Sequence, residues 1–325
     1  MRVREIGEFG FLELLRKELL SDERGRKRLL VPVGDDAAAW DPPSLPHLCT
    51  TDLLVEGVHF SLRYFSWRDL GWKSAVVSLS DIAAMGGKPL FAFISLGIPP
   101  EVEIENLLEF CRGVMEAAEE YDFALAGGDL SRSEKVIVNS TLVGIATGRV
   151  LVRSKAQPGD LIAVTGFTGL SAAGFYMLSR DLPFDEETSI FREAHLRPRP
   201  RLREAAILSE LEVHAAIDIS DGLVQDLARI CEASGVGAEL WKERVPLHPL
   251  LRSRFPERAW EFALSGGEDY ELLFTASPEV MEEAGRRMGG AIFVVGRIRE
   301  ERGLVIRGGE IAGEILEGWD HFRAS

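Results

Sequence analysis

The chain has 325 residues, 46% of them apolar and 27% charged, with 52 acidic against 37 basic side chains and a net charge of −15. That length suffices for two domains with buried cores, and the acidic balance argues against nucleic acid or an anionic membrane as the main partner. The three cysteines, Cys49, Cys111 and Cys231, are odd in number and lack metal-type spacing, so reduced thiols in a cytoplasm are expected.

The start, Met1-Arg2-Val3-Arg4-Glu5, has no apolar core behind it, and no run approaches the roughly 20 apolar residues of a membrane span, so neither leader nor span is expected. Phe9, Leu12, Leu15 and Leu19 predict an amphipathic helix over 8–20. Leu29–Val33 and Leu48–Val55 read as strands. A helical pattern runs from Trp67 to Met85 and stops at Gly86-Gly87 before Pro89. Strand Leu90–Ile98, helix 101–121, strand Phe123–Ala126 and a long β-branched strand Val136–Val150 follow.

Gln157-Pro158-Gly159-Asp160 is a turn signal before a fresh strand, Leu161–Thr165, and places a domain boundary there, with domains 1–153 and 154–325. The second half reads as a helix near 169–179, an irregular stretch over 181–200, a helix over 201–211, a strand over 214–219 and a helix from Gly222 to about Ser234. Strands near 237–241, 270–275, 291–298 and 303–307 follow, with helices near 257–263 and 278–288. The elements mix without strict alternation, so the fold class is α+β rather than a doubly wound parallel sheet.

Six acid-bearing segments recur in glycine or hydroxyl settings: Gly34-Asp35-Asp36, Thr50-Thr51-Asp52, Ser80-Asp81, Gly127-Gly128-Asp129, Asp218-Ile219-Ser220-Asp221-Gly222 and Gly266-Gly267-Glu268-Asp269. Singly each is an ordinary turn or helix cap. Gathered carboxylates repel one another unless something neutralises them. Magnesium takes one or two protein carboxylates and completes its shell with water and phosphate oxygens, which suits scattered single aspartates. A calcium loop packs its ligands within about 12 residues, and nothing here does. The segments therefore point to a magnesium–nucleotide site. The common phosphate-binding devices are absent: no Gly-x-x-x-x-Gly-Lys-Ser/Thr loop, no dinucleotide fingerprint and no protein-kinase set.

Those six segments, with Gly57-Val58-His59-Phe60, Leu79-Ser80-Asp81-Ile82-Ala83-Ala84-Met85-Gly86, Tyr270-Glu271 and Gly318-Trp319-Asp320-His321-Phe322, resemble the thiamine-monophosphate kinase family. The resemblance runs in order over essentially the whole chain. It implies an N-terminal α/β domain (1–153) that binds ATP and magnesium and pairs with its copy in a homodimer, and a C-terminal α+β domain (154–325) that completes the substrate site. It implies magnesium ligands at Asp35, Asp36, Thr50, Thr51, Asp52, Asp81, Asp129, Asp218 and Asp221, with either member of the adjacent pair Asp35 and Asp36 able to serve. ATP contacts would fall on Gly128, Asp129, Arg153 and Ser220. Thiamine monophosphate contacts would fall on His59, Trp319 and one or both of Glu268 and Asp269.

The activity so implied is transfer of the γ-phosphoryl group of ATP to thiamine monophosphate in a cytoplasmic enzyme. Two other readings stand beside it: an ATP-dependent synthetase of the same superfamily with a different acceptor, and a non-catalytic cation-binding module. Taken alone, His59 is a strand-edge histidine, Arg153 a surface arginine and Trp319 a packing residue. His47, His195, His214, His248 and His321 show no partner in the sequence and read as surface or core histidines.

Overall fold

The computed structural model describes residues 44–308, with Glu5 and Leu14 besides. Asp35, Asp36, Trp319, the expected helix over 8–20 and the expected strand over 29–33 lie outside the described residues. The chain divides into two units, Met1–Ile82 with Lys88–Ile145, and Ala83–Gly87 with Ala146–Ser325. The mixture of sheets and helices is α+β, as the sequence predicts.

The first unit holds strand β1 (His47–Val55), helix α1 (Trp67–Ala84), β2 (Gly87–Ile98), helix α2 (Ile104–Tyr121), β3 (Ala124–Arg132) and β4 (Ile137–Ala146). Its sheet has the order β1-β4-β2-β3. β1 runs antiparallel to β4, with Asp52 opposite Ser140 and Thr50 opposite Leu142. β2 and β3 are parallel, with a bulge between Ala92 and Phe93. Helix α1 is buried continuously from Gly71 to Ser80, which its small residues Gly71, Ser74, Ala75, Ser78 and Ser80 permit. A helix apolar or small on nearly every side belongs in an interior, and Lys73 is the one charged side chain buried within that stretch. Helix α2 has one face only, burying Ile104, Leu107, Phe110, Cys111, Val114, Ala117 and Ala118, and ends at Asp122 in the left-handed region.

Gly127-Gly128-Asp129 is part of a strand, where the sequence suggests a loop. It pairs along β2, Gly127 with Phe93, Gly128 with Ile94 and Asp129 with Ser95. A Cβ on Gly128 would lie 1.9 Å from the Ile94 carbonyl oxygen, so the glycine allows a close backbone approach that ends the turn reading.

The second unit holds β5 (Leu161–Val164), helices α3 (Leu170–Ser179), α4 (Ser189–Leu196) and α5 (Leu202–Glu210), β6 (Ala215–Asp218), α6 (Leu223–Ser234), β7 (Gly237–Trp241), α7 (Pro249–Arg254), α8 (Ala259–Ser265), β8 (Leu272–Ala276), α9 (Pro278–Arg287), β9 (Phe293–Arg299) and β10 (Gly303–Arg307). The sheet order is β10-β7-β9-β5-β8-β6. Strand alternation sorts its side chains into two cores. Ile162, Val164, Ile217, Leu240, Leu273 and Val295 pack with Leu223, Val224, Leu227 and Ile230 of α6. Ala163, Ala216, Leu272 and Phe274 pack with Leu208 of α5 and Met281 of α9.

Helix α4 replaces part of the irregular stretch expected over 181–200. Its start is fixed by Asp185, whose carboxylate accepts from the Thr188 N–H at 2.8 Å and from the Thr188 hydroxyl at 2.7 Å. The prolines that suggested irregularity, Pro183, Pro198 and Pro200, fall outside the helix. The short α7 likewise lies where no helix is expected; His248 Nδ1 accepts from the Leu250 N–H at 3.2 Å, and Pro249 opens the helix. Among the described residues no helix is long and apolar enough to cross a membrane.

Candidate active site

In the first unit, alternation along β1 sends Thr50 and Asp52 to the side facing α1 and Thr51 to the other. Thr50 Oγ1 donates to Asp81 Oδ2 at 2.5 Å, and Ser78 Oγ donates to Asp52 Oδ2 at 2.6 Å. One strand and one buried helix thus bring two carboxylates and two hydroxyls together. Burial, then the charge of Asp81, pushes the Asp52 carboxyl up to about 6 against the Ser78 hydrogen bond. Thr51 lies apart from this group, bonded across the other face to Asn139 Nδ2 at 2.9 Å and beside Thr141 Oγ1 at 3.1 Å.

Gly128 and Asp129 are exposed on β3. His59 is half-buried in the turn after β1, and its Nδ1 accepts from the Val55 N–H at 3.0 Å. That bond puts the neutral ring's hydrogen on Nε2.

In the second unit the two acidic segments lie together by backbone bonding. Glu268 N–H donates to the Ser220 carbonyl at 2.8 Å, Tyr270 N–H to Ile219 at 2.9 Å, and Ile219 N–H to Glu271 at 2.8 Å. Asp218 ends β6, buried, and Ser220 and Asp221 form the turn into α6. Asp226, which lies outside the six acid-bearing segments, holds that turn. Its Oδ2 accepts from the N–H groups of Ser220 at 3.1 Å and Asp221 at 3.0 Å, while Oδ1 accepts from Arg229 at 2.8 Å. Arg229 also pairs with the Asp221 carboxylate at 2.5 Å. Burial pushes Asp226 up to about 6 despite those donors. The available signal was an acid in the first turn of the helix following the Asp-Ile-Ser-Asp-Gly run, where free N–H groups want an acceptor.

Glu268 and Asp269 diverge. Asp269 turns to the start of α3, accepting from the N–H groups of Gly169 at 2.6 Å and Ser171 at 3.3 Å. Loss of water, supported by the charges of Glu271 and Glu268, lifts its carboxyl to about 8. Glu268 stays partly exposed and meets His195 Nδ1 at 3.2 Å. Glu268 and Tyr270 both hold positive φ, 64° and 54°, in a region that non-glycine residues seldom occupy. Such strain persists only where the surroundings enforce it. The anchor is Glu271, which is buried, accepts from Thr165 Oγ1 at 2.7 Å and from Arg201 Nε at 2.6 Å, and also pairs with Arg201 Nη2. Arg153 is exposed, and its carbonyl accepts from Ser234 Oγ at 2.9 Å.

Among the described residues no three of His, Cys, Asp or Glu form a ready-made metal cage. Magnesium does not require one, because it takes few carboxylates and keeps water and phosphate oxygens. The Asp52–Asp81 pair fits that demand: hard oxygen donors that accept from hydroxyls, with burial and the neighbouring Asp81 making the charge on Asp52 costly.

The chain matches the AIR synthase related protein N-terminal domain over residues 34–148 and the corresponding C-terminal domain over residues 157–309. Fold and acid-bearing segments together define the class, the two-domain AIR synthase related proteins. Thiamine-monophosphate kinase of Aquifex aeolicus is 37% identical over 331 residues, covering 99% of this chain and 100% of that protein. The crystal structure of thiamine-monophosphate kinase from Stenotrophomonas maltophilia superposes with a TM-score of 0.81 at 31% identity, over 93% of this chain and 97% of that one. A structure of AaThiL complexed with AMPPCP and TMP has a TM-score of 0.79 at 35% identity, over 99% of both chains. The chain belongs to the thiamine-monophosphate kinase family.

Proposed function

We propose that the protein transfers the γ-phosphoryl group of ATP to thiamine monophosphate, giving thiamine diphosphate and ADP. The observation that carries this reading is the likeness over 99% of both chains to a structure that holds AMPPCP and TMP. An acceptor phosphate oxygen attacks the γ-phosphorus in line. The bond from that phosphorus to the β–γ bridging oxygen breaks, and the electron pair leaves with ADP. The acceptor is already anionic near neutral pH, so the reaction needs alignment and charge neutralisation more than a strong base.

Thr50, Asp52 and Asp81 are the residues best arranged to hold magnesium, with Asp35, Asp36, Thr51, Asp129, Asp218 and Asp221 as further ligands in this reading. When bound, magnesium offsets the roughly six negative charges of ATP and a phosphate monoester. Gly128, Asp129, Arg153 and Ser220 are assigned to ATP. His59, Glu268, Asp269 and Trp319 are assigned to the acceptor. In this reading Glu268 is the member of its pair that meets the acceptor directly, and Asp269, whose carboxylate accepts from the start of α3, serves it by holding that loop. Residues 1–153 serve ATP, magnesium and pairing of two copies, and residues 154–325 complete the substrate site, in a cytoplasmic homodimer.

The test is ADP release from magnesium–ATP with thiamine monophosphate, thiamine or buffer as acceptor. Release that depends on the monophosphate is expected. Release with thiamine or buffer and none with the monophosphate would overturn the reading in favour of a related synthetase, and metal binding without any turnover would favour a cation-binding module.

A further inference from the structure

Ser171, His195 and Glu268 bring together the residue types of a nucleophile, a base and an acid. A proton relay needs the hydroxyl and the acid on opposite ring nitrogens. Here both meet the same one: Ser171 Oγ lies 3.1 Å and Glu268 Oε2 3.2 Å from His195 Nδ1. Ser171 is also only 1% exposed, out of reach of a substrate carbonyl or phosphorus. The trio is therefore a brace rather than a nucleophilic centre.

We infer that His195 is a positioning residue for phosphoryl transfer, holding the Glu268 carboxylate in the direction that meets the acceptor. This rests on the assignment of Glu268 to the acceptor made above. The brace forms a closed ring. Ser171 N–H donates to Asp269 Oδ1 at 3.3 Å, the chain passes from Asp269 to Glu268, Glu268 meets His195, and His195 meets the Ser171 hydroxyl. The adjacent acids are thus both tied to the first turn of α3, one through its backbone and one through a histidine. An ionised carboxylate only accepts, so the hydrogen shared with Glu268 sits on Nδ1, the tautomer opposite to that of His59.

His195 is itself immobilised. It is 2% exposed near the end of α4, and the exposed ring of Phe175 covers it at 5.5 Å between centroids. Helices α3 and α4 touch closely beside it, because a Cβ on Gly174 would lie 2.0 Å from the Phe191 carbonyl and 3.0 Å from the His195 Cβ. The residue it braces sits on strained backbone, with φ of 64° and its N–H donated to Ser220. A partly exposed carboxylate on a rigid, strained loop, gripped from below by a buried ring, is arranged for ligand contact more than for folding.

Steady-state kinetics on the full chain with magnesium–ATP and thiamine monophosphate test this. His195→Ala should raise KM for thiamine monophosphate about 10-fold, the scale of one hydrogen bond to a charged group, while kcat and KM for ATP stay within about 2-fold. The Asn amide nitrogen reaches the position of Nδ1, so His195→Asn should recover most of the loss. The Gln amide reaches toward Nε2, so His195→Gln should not. Adding His195→Ala to Glu268→Gln should raise KM no further than Glu268→Gln alone.

If His195→Ala and His195→Asn both keep the wild-type KM while Glu268→Gln raises it, this inference falls and the acceptor assignment survives. Equal KM for Asn, Gln and Ala variants, all above wild type, would reduce His195 to packing. If Glu268→Gln leaves KM unchanged, the assignment of Glu268 falls and the inference with it. Absence of any turnover dependent on thiamine monophosphate in the wild type sinks the proposed function as well.

Discussion

Asp52 is held where its charge is unwelcome: burial and Asp81 oppose ionisation, and one Ser78 hydroxyl is the hydrogen bond opposing them. A buried acid beside a second acid, with burial and that neighbour outweighing its hydroxyl donor, is poorly suited to stabilising a fold and well suited to a cation. Asp52→Ala should therefore lower kcat/KM by at least about 100-fold, since charge stabilisation by a metal ion is worth several kcal/mol. Its thermal melting temperature should stay level or rise, because a like charge has been removed. Full activity, or a large drop in melting temperature with activity proportional to folded protein, would contradict the ligand reading. The sequence already made the Thr50-Thr51-Asp52 triplet legible as strand, and alternation alone separates Thr51 from its neighbours. It left Ser78 and Asp226 unseen, because their value lies in tertiary contacts: Ser78 meets Asp52 across 26 residues of chain, and Asp226 folds back onto a turn it follows. His195 looked idle for the same reason, since its partners Ser171 and Glu268 come from distant segments.

Elements were legible where a single period dominates and obscure where packing decides. Helix α2 shows its apolar stripe in sequence, although Leu108 and Met115 are only partly buried while Phe110, Ala117 and Ala118 fill the core. Helix α4 is short and flanked by prolines, and it is stabilised by contact with α3, which local propensity does not register. Gly174 sits at that contact. Gly174→Ala forces a Cβ into a space 2.0 Å from the Phe191 carbonyl, so it should destabilise the protein by about 2–3 kcal/mol through overpacking. Shifting α4 also shifts His195, so KM for thiamine monophosphate should rise in the folded fraction. Gly285 of α9 provides the opposite case, because a Cβ there meets only Ile292 side-chain carbons at 3.5 and 3.7 Å. Gly285→Ala should stabilise by about 0.5–1 kcal/mol, the ordinary gain for a helical glycine with room for a methyl group. Denaturant melts of the two variants should differ in sign; a gain in both would mean that the α3–α4 contact is looser than its geometry implies, and a loss in both that Gly285 has less room than its geometry implies.

At the scale of the molecule, a net charge of −15 must be reconciled with two anionic substrates. Local cations are the physical way to do so, and they also bear on the route of transfer. A phosphoenzyme intermediate on one of the site's aspartates would have a carboxylate attack the γ-phosphorus. That attack meets the same anion–anion repulsion as attack by thiamine monophosphate itself. The detour replaces one disfavoured approach with two of the same kind, and it spends a carboxylate that the charge balance needs for a metal ion. Ser171, the hydroxyl with a histidine beside it, is 1% exposed and shares its nitrogen with Glu268. Direct transfer in one displacement is therefore expected. After incubation with γ-labelled ATP and rapid quenching, label should appear in thiamine diphosphate and none should travel with the protein, whether acceptor is present or withheld. Initial-rate plots at varied ATP and acceptor should intersect, as a ternary complex requires. Parallel lines together with label bound to the protein would show that one of these acids attacks first, and the charge argument would then have to explain why that route is faster.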